Sequence, residues 1–374
     1  MDAENRWNWQ QEDWPRFRFD KSALEESEAK FLLQGGLLLG AILHVRDDDR
    51  SALIIDLISN EALKTSEIEG EYLNRESVQS SVRRNFGLDT DARRIPAAEQ
   101  GIADMMTDLY RSYAEPLTHE TMFRWHSMLT AGRRDLKNIG AYRTLDAPMQ
   151  IVSGPIGNPH IHFEAPPSAV AEKEMEGFVN WFNDTAPHSN NALPALTRAG
   201  IAHLYFVTIH PFEDGNGRIA RALAEKAMSQ ALGQPTLIAL SQTIQKHKNS
   251  YYEALHRSSR DNEITAWLAY FADTALQAQD ATRGIIEFLI QKTKLYDRVK
   301  GQLNERQEKA LARIFREGVE GFKGGLSAEN YISITGAARA TATRDLQDLV
   351  DKGVLLRTGA LKGTRYHLNI ETRE

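Results

Sequence analysis

The sequence predicts a mainly α-helical protein, with one small β-hairpin set into the helical part and a winged helix-turn-helix at its C-terminal end. Three observations carry this. From residue 23 to 86 apolar residues recur every three or four positions, the period of a helix with one buried face. Between 140 and 168 the chain becomes rich in Gly and Pro and holds two short β-type runs, "MQIV" and "HIHF", on either side of the turn signal "SGPIGNP". Beyond residue 300 a helix, a short helix, a third helix and two strand-like runs follow in the order of a winged helix.

Each element has its own grounds. Trp7, Trp9 and Trp14 lie within the first 30 residues. Such a dense aromatic group is expected to clamp a terminal segment onto a core, in preference to forming a strip for a partner. "FLLQGGLLLGAIL" (31–43) suits a buried helix in which Gly35, Gly36 and Gly40 permit close packing, and it is too short to span a bilayer. "RRIPAAEQGIADMMTDLYRSY" and "LTHETMFRWHSMLT" read as two further helices, the second opened by Thr118. Helices resume from about 169 to 300. At the C-terminal end "NERQEKALARIFREG" is a helix, "SAENYISITG" a short one closed by Gly336, and "ATATRDLQDLVDKG" a third closed by Gly353. "VLLRTGALKGTRYHL" then turns at 359–363. This divides the chain into an N-terminal helical region (1–95), a core with its following helices (96–300) and the winged helix (301–374).

The bulk numbers exclude more than they assign. The 374 residues are 41% hydrophobic and 26% charged, with a formal charge of -6, so there is no global pull toward nucleic acid or membrane. With no cysteine, disulfides, thiolate metal sites and a cysteine nucleophile are ruled out. The N-terminus "MDAENRWNWQQEDWPRF" has no apolar signal-peptide core, and the expected location is cytoplasmic.

The chemistry concentrates in "HPFEDGNGRIAR" (210–221). Gly215 to Ala220 formally fits the dinucleotide pattern GxGxxG/A, and "LYFVTI" before it could pass for a strand. That reading fails: "HPFED" separates the run from the first glycine, and no acidic residue follows about twenty positions on to hold a ribose. A P-loop fails too, since Gly-Lys occurs nowhere in the chain. What remains is local chemistry. Gly215-Asn216-Gly217 can turn several N–H groups toward an anion at the start of the helix "RIARALAEKAMSQALG". Arg218 and Arg221, three apart, share a face of that helix and suit a polyphosphate. Asp214 is the single carboxylate that a phosphate-bound Mg²⁺ takes from a protein. His210 is placed to accept a proton as general base. Residue by residue a helix cap would explain these positions; together they point to phosphate chemistry.

The stretch resembles the active-site motif HPFx(D/E)GNGRxxR of the Fic (filamentation induced by cAMP) domain family, with every fixed position present. "GAYR" (140–143) and "APPS" (165–168) resemble the elements flanking that family's hairpin flap. "AHLYFVTIHPF" is similar to its core helix, which makes "LYFVTI" helical, and "YYEAL" (251–255) to the helix that encloses an adenosine. "WNWQQEDWPRF" resembles the N-terminal region of a bacterial subgroup in which a winged helix follows the core. The fold so implied is a Fic-type helical core with a β-hairpin flap.

The resemblance implies a protein adenylyltransferase that moves AMP from ATP to Tyr, Thr or Ser hydroxyls of target proteins and of itself, releasing pyrophosphate. His210 would be the base, Asp214 the Mg²⁺ (or Mn²⁺) ligand, and Gly215, Asn216, Gly217 and Arg218 the phosphate anchor. Arg221 would hold the γ-phosphate, Tyr251 and Tyr252 would face the adenosine, and the hairpin would align the target by strand addition. Where some relatives carry Asn, this chain has Ser259. "TSEIEGE" (65–71) resembles the family's (S/T)xxxE(G/N) inhibitory helix. Thr65 and Glu69 lie four apart on one helical face, and the implied pair is Glu69 with Arg221. Relatives with this glutamate also remove AMP, so de-AMPylation stays open, as does a homodimer coupled to inhibition.

Other constellations read more plainly. His160 and His162 share a strand face but lack a third ligand, and are expected in flap packing or target contact. His203 is expected to be an interior residue. Residues 301–374 carry 12 Lys and Arg against 10 Asp and Glu, a net of +2, so Arg339, Arg344, Lys362 and Arg365 support DNA binding only weakly. Two alternatives remain: a nucleotide-sensing, DNA-binding regulator, and a Fic toxin that transfers phosphate or another nucleotide.

Overall fold

A computed structural model describes residues 6–43, 45, 47–88, 94–153, 160–317, 321–322 and 324–370. Two compact units emerge, residues 1–40 with 50–280 and residues 41–49 with 281–374. Along the chain run α1 (Glu25–Leu43), α2 (Asp47–Ile68), α3 (Arg75–Asn85), α4 (Ala97–Ser112) and α5 (His119–Leu129). The hairpin strands β1 (Gln150–Ser153) and β2 (His160–Glu164) follow, and then α6 (Ser168–Asp184), α7 (Ala195–Ile209) and α8 (Asn216–Leu232). Next are α9 (Leu240–Lys246), α10 (Lys248–Ser258), α11 (Thr265–Arg298), α12 (Glu305–Arg316), α13 (Ala328–Thr335) and α14 (Arg339–Asp351). The strands β3 (Leu355–Thr358) and β4 (Arg365–Leu368) close the chain.

The first unit is built around α7. Every residue of α7 except Val207 is buried, which fits a helix apolar on all sides. "LYFVTI" is therefore helical. Gly200 lets the ring of Phe271 and the side chain of Leu268 press onto the helix, where a Cβ would come 2.7 Å from Leu268 Cδ2. The first turn of α7 follows Pro194 and has no side-chain cap of its own. Glu28 of α1 supplies one from 168 residues away, accepting from Leu196 N (3.0 Å) and Thr197 N (2.7 Å). Glu61 of α2 does the same at α9, accepting from Ser241 N (2.7 Å) and Gln242 N (3.4 Å). The N-terminal helices are thus fastened to the core through helix starts that lack side-chain caps of their own.

The tryptophans behave as the sequence predicts. Trp7 meets Phe163 of β2 edge-on at 5.2 Å, with the Arg260 guanidinium 3.5 Å above its ring. Trp9 donates to the Glu164 carbonyl (2.7 Å), and Trp14 packs on Tyr205 of α7. The reading of residues 31–43 needs correction. Gly35 is packed, with Leu232 Cδ2 2.8 Å from where its Cβ would be, but Gly36 and Gly40 have nothing within 4 Å. Leu32, Leu33 and Leu37 are exposed on the same helix. An all-apolar stretch does not reveal which of its sides meets the core.

The β1–β2 pair is antiparallel, with a register shift between Ile151 and Val152; its turn, predicted over "SGPIGNP", lies largely outside the described residues. In the second unit Leu311, Ile314, Tyr331, Leu346, Leu349 and Val354 form the core. Capping boxes at Asn304 and Ser327 start α12 and α13, and Gly336, at φ +72°, ends α13. β3 and β4 pair antiparallel. Arg339 lies 3.5 Å from Glu329, and the Lys362 side chain is outside the described residues. Among the described residues no helix is long and apolar enough to cross a membrane.

Candidate active site

The loop from α7 to α8 is shaped by its own side chains. His210 ends α7 in the left-handed region (φ +50°), a conformation that costs a non-glycine residue about 1 kcal/mol. The cost is met by hydrogen bonds around it. Arg143 donates from Nε to the His210 carbonyl (2.8 Å) and from its backbone N–H to the Pro211 carbonyl (2.9 Å). The same guanidinium reaches Ser168 Oγ (2.7 Å) and the Pro166 carbonyl (2.5 Å), tying the loop to the base of the hairpin. "GAYR" and "APPS" are thus two ends of one clamp. Burial lowers the Arg143 pKa to about 10, still far above neutrality. Arg143→Ala would leave several buried carbonyls without a donor, and a loss of about 3 kcal/mol or more in unfolding free energy by urea titration is expected.

Phe212 stacks flat on His126 (4.2 Å, 7°) and is fully buried. Asn216 closes the loop on itself: its Oδ1 accepts from Phe212 N (3.0 Å) and its Nδ2 donates to the Phe212 carbonyl (2.8 Å). Its side chain is therefore spent on loop geometry, which leaves its backbone N–H for a ligand. Gly215 (φ +80°) opens α8, so the first N–H groups of that helix face the site.

Four ionisable groups surround this helix start. His210 Nδ1 faces the Val207 carbonyl at 3.3 Å, which assigns the ring proton to Nδ1 and the free lone pair to Nε2. Burial pulls its pKa down to about 4, so the imidazole is neutral at pH 7. Asp214 accepts from Gly215 N (2.6 Å) and lies 2.5 Å from Arg133 and 3.4 Å from Arg218. Burial opposes its charge, and the guanidiniums outweigh that and hold its carboxyl below the usual range. Arg221, 2% exposed, donates to Thr65 Oγ1 (2.7 Å), the Thr65 carbonyl (2.9 Å) and Glu69 Oε1 (2.7 Å). Arg218 donates to Glu71 Oε2 at 2.6 Å.

Glu69 and Glu71 come from the turn that ends α2. Gly70 N donates to the Glu67 carbonyl and Glu71 N to the Ser66 carbonyl, both at 3.0 Å, with Gly70 at φ +85°. This is a Schellman ending, which needs glycine at its left-handed position. It sets Glu69 against the start of α8 so closely that a Cβ on Gly217 would lie 2.2 Å from Glu69 Oε1. The carboxylate lies where an anion drawn to this helix start would lie.

Beside Glu69, His210 and Gly217 a cavity of about 340 Å³ opens. Its walls are largely apolar, with Leu204 and Val207 from α7, Tyr251 and Leu255 from α10, and Ile151 and Phe163 from the hairpin. That size and lining suit a planar base. Tyr251 is buried with its hydroxyl 3.0 Å from His203 Nε2, so His203 is interior as predicted. Tyr252 is half-exposed and donates to the Ile68 carbonyl (3.2 Å) at the end of α2. Ser259 lines the cavity, and its carbonyl accepts from Asn8 N (2.8 Å), which ties the N-terminal segment to the end of α10. His160 and His162 lie 4.6 Å apart, ring to ring, at the hairpin.

Every residue predicted for the main site, with the Thr65–Glu69 pair, comes together here. Arg133, Arg143, His126 and Glu71 were not foreseen as parts of it. Arg143 in "GAYR", Glu71 in "TSEIEGE" and His126 in "LTHETMFRWHSMLT" stood in stretches singled out for other reasons, and Arg133 in none. Among the described residues no group of three His, Asp or Glu could hold a metal. A lone carboxylate, Asp214, beside a glycine-led helix start still fits Mg²⁺, an ion that draws most of its shell from phosphate and water.

Comparison with known proteins agrees with this geometry. A family model described as Fic/DOC family matches residues 116–228, and one described as a domain of unknown function (DUF4172) matches residues 7–88. The protein adenylyltransferase fic-1 of Caenorhabditis briggsae is 39% identical over 84 residues, 22% of this chain and 15% of that protein. The protein adenylyltransferase Fic of Drosophila mojavensis is 31% identical over 106 residues, 28% of this chain and 19% of the relative. The chain therefore spans less than a fifth of either relative. Among solved structures, a Fic family protein from Desulfovibrio desulfuricans aligns with a TM-score of 0.52 over 93% of this chain and 97% of that one, at 18% identity. A Fic domain containing signaling protein from Bacteroides thetaiotaomicron also gives 0.52, over 73% and 98%, at 17% identity. At such identities the likeness is one of fold.

Proposed function

Residues 116–228 belong to the Fic/DOC family, and from that premise we propose that the protein is an adenylyltransferase, moving AMP from ATP to Tyr, Thr or Ser hydroxyls of target proteins and of itself, and restrained by Glu69. The observation that carries this is the neutral imidazole of His210, which lines an apolar cavity beside a helix start flanked by two arginines.

The base of ATP would enter the cavity and its phosphates the start of α8. The backbone N–H groups of Gly215, Asn216 and Gly217 would bind phosphate oxygens, Arg218 the inner phosphates and Arg221 the terminal one. Asp214 would hold Mg²⁺ (or Mn²⁺), which when bound supplies positive charge to the phosphates. His210 Nε2 would take the proton of the target hydroxyl as its oxygen attacks the α-phosphorus. The bond to the bridging oxygen breaks and pyrophosphate leaves. Most of the rate gain then comes from positioning and charge. The β1–β2 pair, with Ile151 and Val152 exposed, is suited to align an extended target segment.

Incubation with ATP labelled separately at the α- and γ-phosphate tests the reading. Protein-bound α-label without γ-label is expected. Bound γ-label would assign phosphate transfer, and no label with tight nucleotide binding would assign a sensor. The helix order of residues 305–368 supports a winged helix, whose near-neutral charge favours a protein contact over DNA.

A further inference from the structure

The inhibitory pair is doubled. The turn that carries Glu69 to Arg221 also carries Glu71 to Arg218, with Oε2 2.6 Å from Nη1. We propose that Glu71 is a second latch, so that a nucleotide must displace two carboxylates from two arginines before its phosphates can settle. This rests on the ATP site proposed above and adds a residue and a selectivity to its restraint.

Several features mark the contact as a latch rather than a structural pair. Arg218 is nearly buried, 6% exposed, whereas Glu71 is 39% exposed and reaches in from the solvent side. The other carboxylate near Arg218, Asp214, lies at 3.4 Å, so Glu71 is the close partner. Arg218 Nε is buried and, among the described residues, has no acceptor. The guanidinium thus keeps hydrogen-bonding capacity that Glu71 does not use and that a phosphate with three oxygens would. Gly70 between the two glutamates reverses the chain at φ +85° and places both carboxylates on the start of α8. Ordering of this single turn holds both arginines together.

The two latches guard different phosphates. Arg218 stands in the first turn of α8 beside the backbone N–H groups, and Arg221 a turn further along. Glu71 therefore opposes any nucleotide with inner phosphates, ADP as well as ATP, while Glu69 opposes chiefly the terminal phosphate of ATP.

Calorimetric titration of the full chain with ATP, ADP and adenosine, each with Mg²⁺, tests this in wild type, Glu71→Gln and Glu69→Gly. Glu71→Gln keeps the shape of the side chain and removes its charge. It is expected to tighten both ATP and ADP by roughly threefold to tenfold and to leave adenosine unchanged. Glu69→Gly is expected to tighten ATP more than ADP. Unchanged ADP and ATP affinity in Glu71→Gln overturns the second latch, as does an equal gain for adenosine, which would mean a generally looser cavity. Label transfer is scored separately. Tighter ADP binding with no transfer in any variant would uphold the latch and sink the transferase reading, and transfer in Glu69→Gly with no effect of Glu71→Gln would do the reverse.

Discussion

Glu69→Gly is expected to raise ATP-dependent self-modification about tenfold over wild type, the ratio that a coupling of roughly 1.4 kcal/mol produces. The effect runs through Arg221. Its guanidinium is 2% exposed, and its Nη2 is shared between Glu69 Oε1 and the Thr65 carbonyl. Burial alone would weaken its charge, and the Glu69 carboxylate overcomes that and raises its pKa. In the proposed ATP site a terminal phosphate would compete for this guanidinium with Glu69 Oε1, which stands 2.7 Å from it. Glycine removes both the charge and the volume, whereas glutamine would keep the volume and a hydrogen bond. Glu67→Gln serves as control, because Glu67 pairs with Lys64 (2.6 Å) and Gln245 (3.1 Å), away from Arg221. Intact mass after incubation with ATP and Mg²⁺ reads the result as added AMP. Equal incorporation in Glu69→Gly and wild type would remove Glu69 from the inhibitory role.

What the sequence could foretell follows from the range of the interactions. The loop from His210 to Arg221 is contiguous, and its turns, cap and charges are local, so its chemistry could be read directly. The helices showed in their period, and the ends of α13 and α14 in Gly336 and Gly353. Thr65 and Glu69 could be paired with Arg221, some 150 positions away, through a resemblance and not through spacing. Glu71 escaped because "EGE" offers two carboxylates and only the path of the chain after Gly70 decides where the second one points. Arg133 escaped for a similar reason: its neighbour Arg134 is chemically identical, and the contact with Asp214 spans 81 positions. Glu28 and Glu61 cap helices about 170 to 180 positions away, contacts that no local spacing signals. The exposed side of α1 was hidden by uniformity, since Leu on every face gives no direction.

His210→Ala is expected to lower transfer by about 10²- to 10⁴-fold while ATP affinity is retained, the loss typical of a missing general base. The imidazole lines the cavity next to Glu69, whereas the groups that would bind phosphate belong to α8, so removal strikes the proton transfer and not the docking. The left-handed backbone at this position complicates the alanine variant, because alanine adopts φ +50° with strain. His210→Asn is the second variant: asparagine tolerates that conformation but provides no comparable base. Loss of transfer in both, with ATP binding intact by calorimetry, assigns the base; transfer near that of the parent in the asparagine variant would remove it. The pH profile gives an independent reading in the Glu69→Gly background, where turnover is expected to be highest. Burial lowers the His210 pKa from the ordinary 6.5 to about 4. The active form is the unprotonated one, so activity should hold as pH falls from 7 to 5 and decline only as it passes through about 4. A decline centred near 6.5 would mean that the imidazole is solvated when it acts, and that the burial seen around His210 does not persist in the working enzyme.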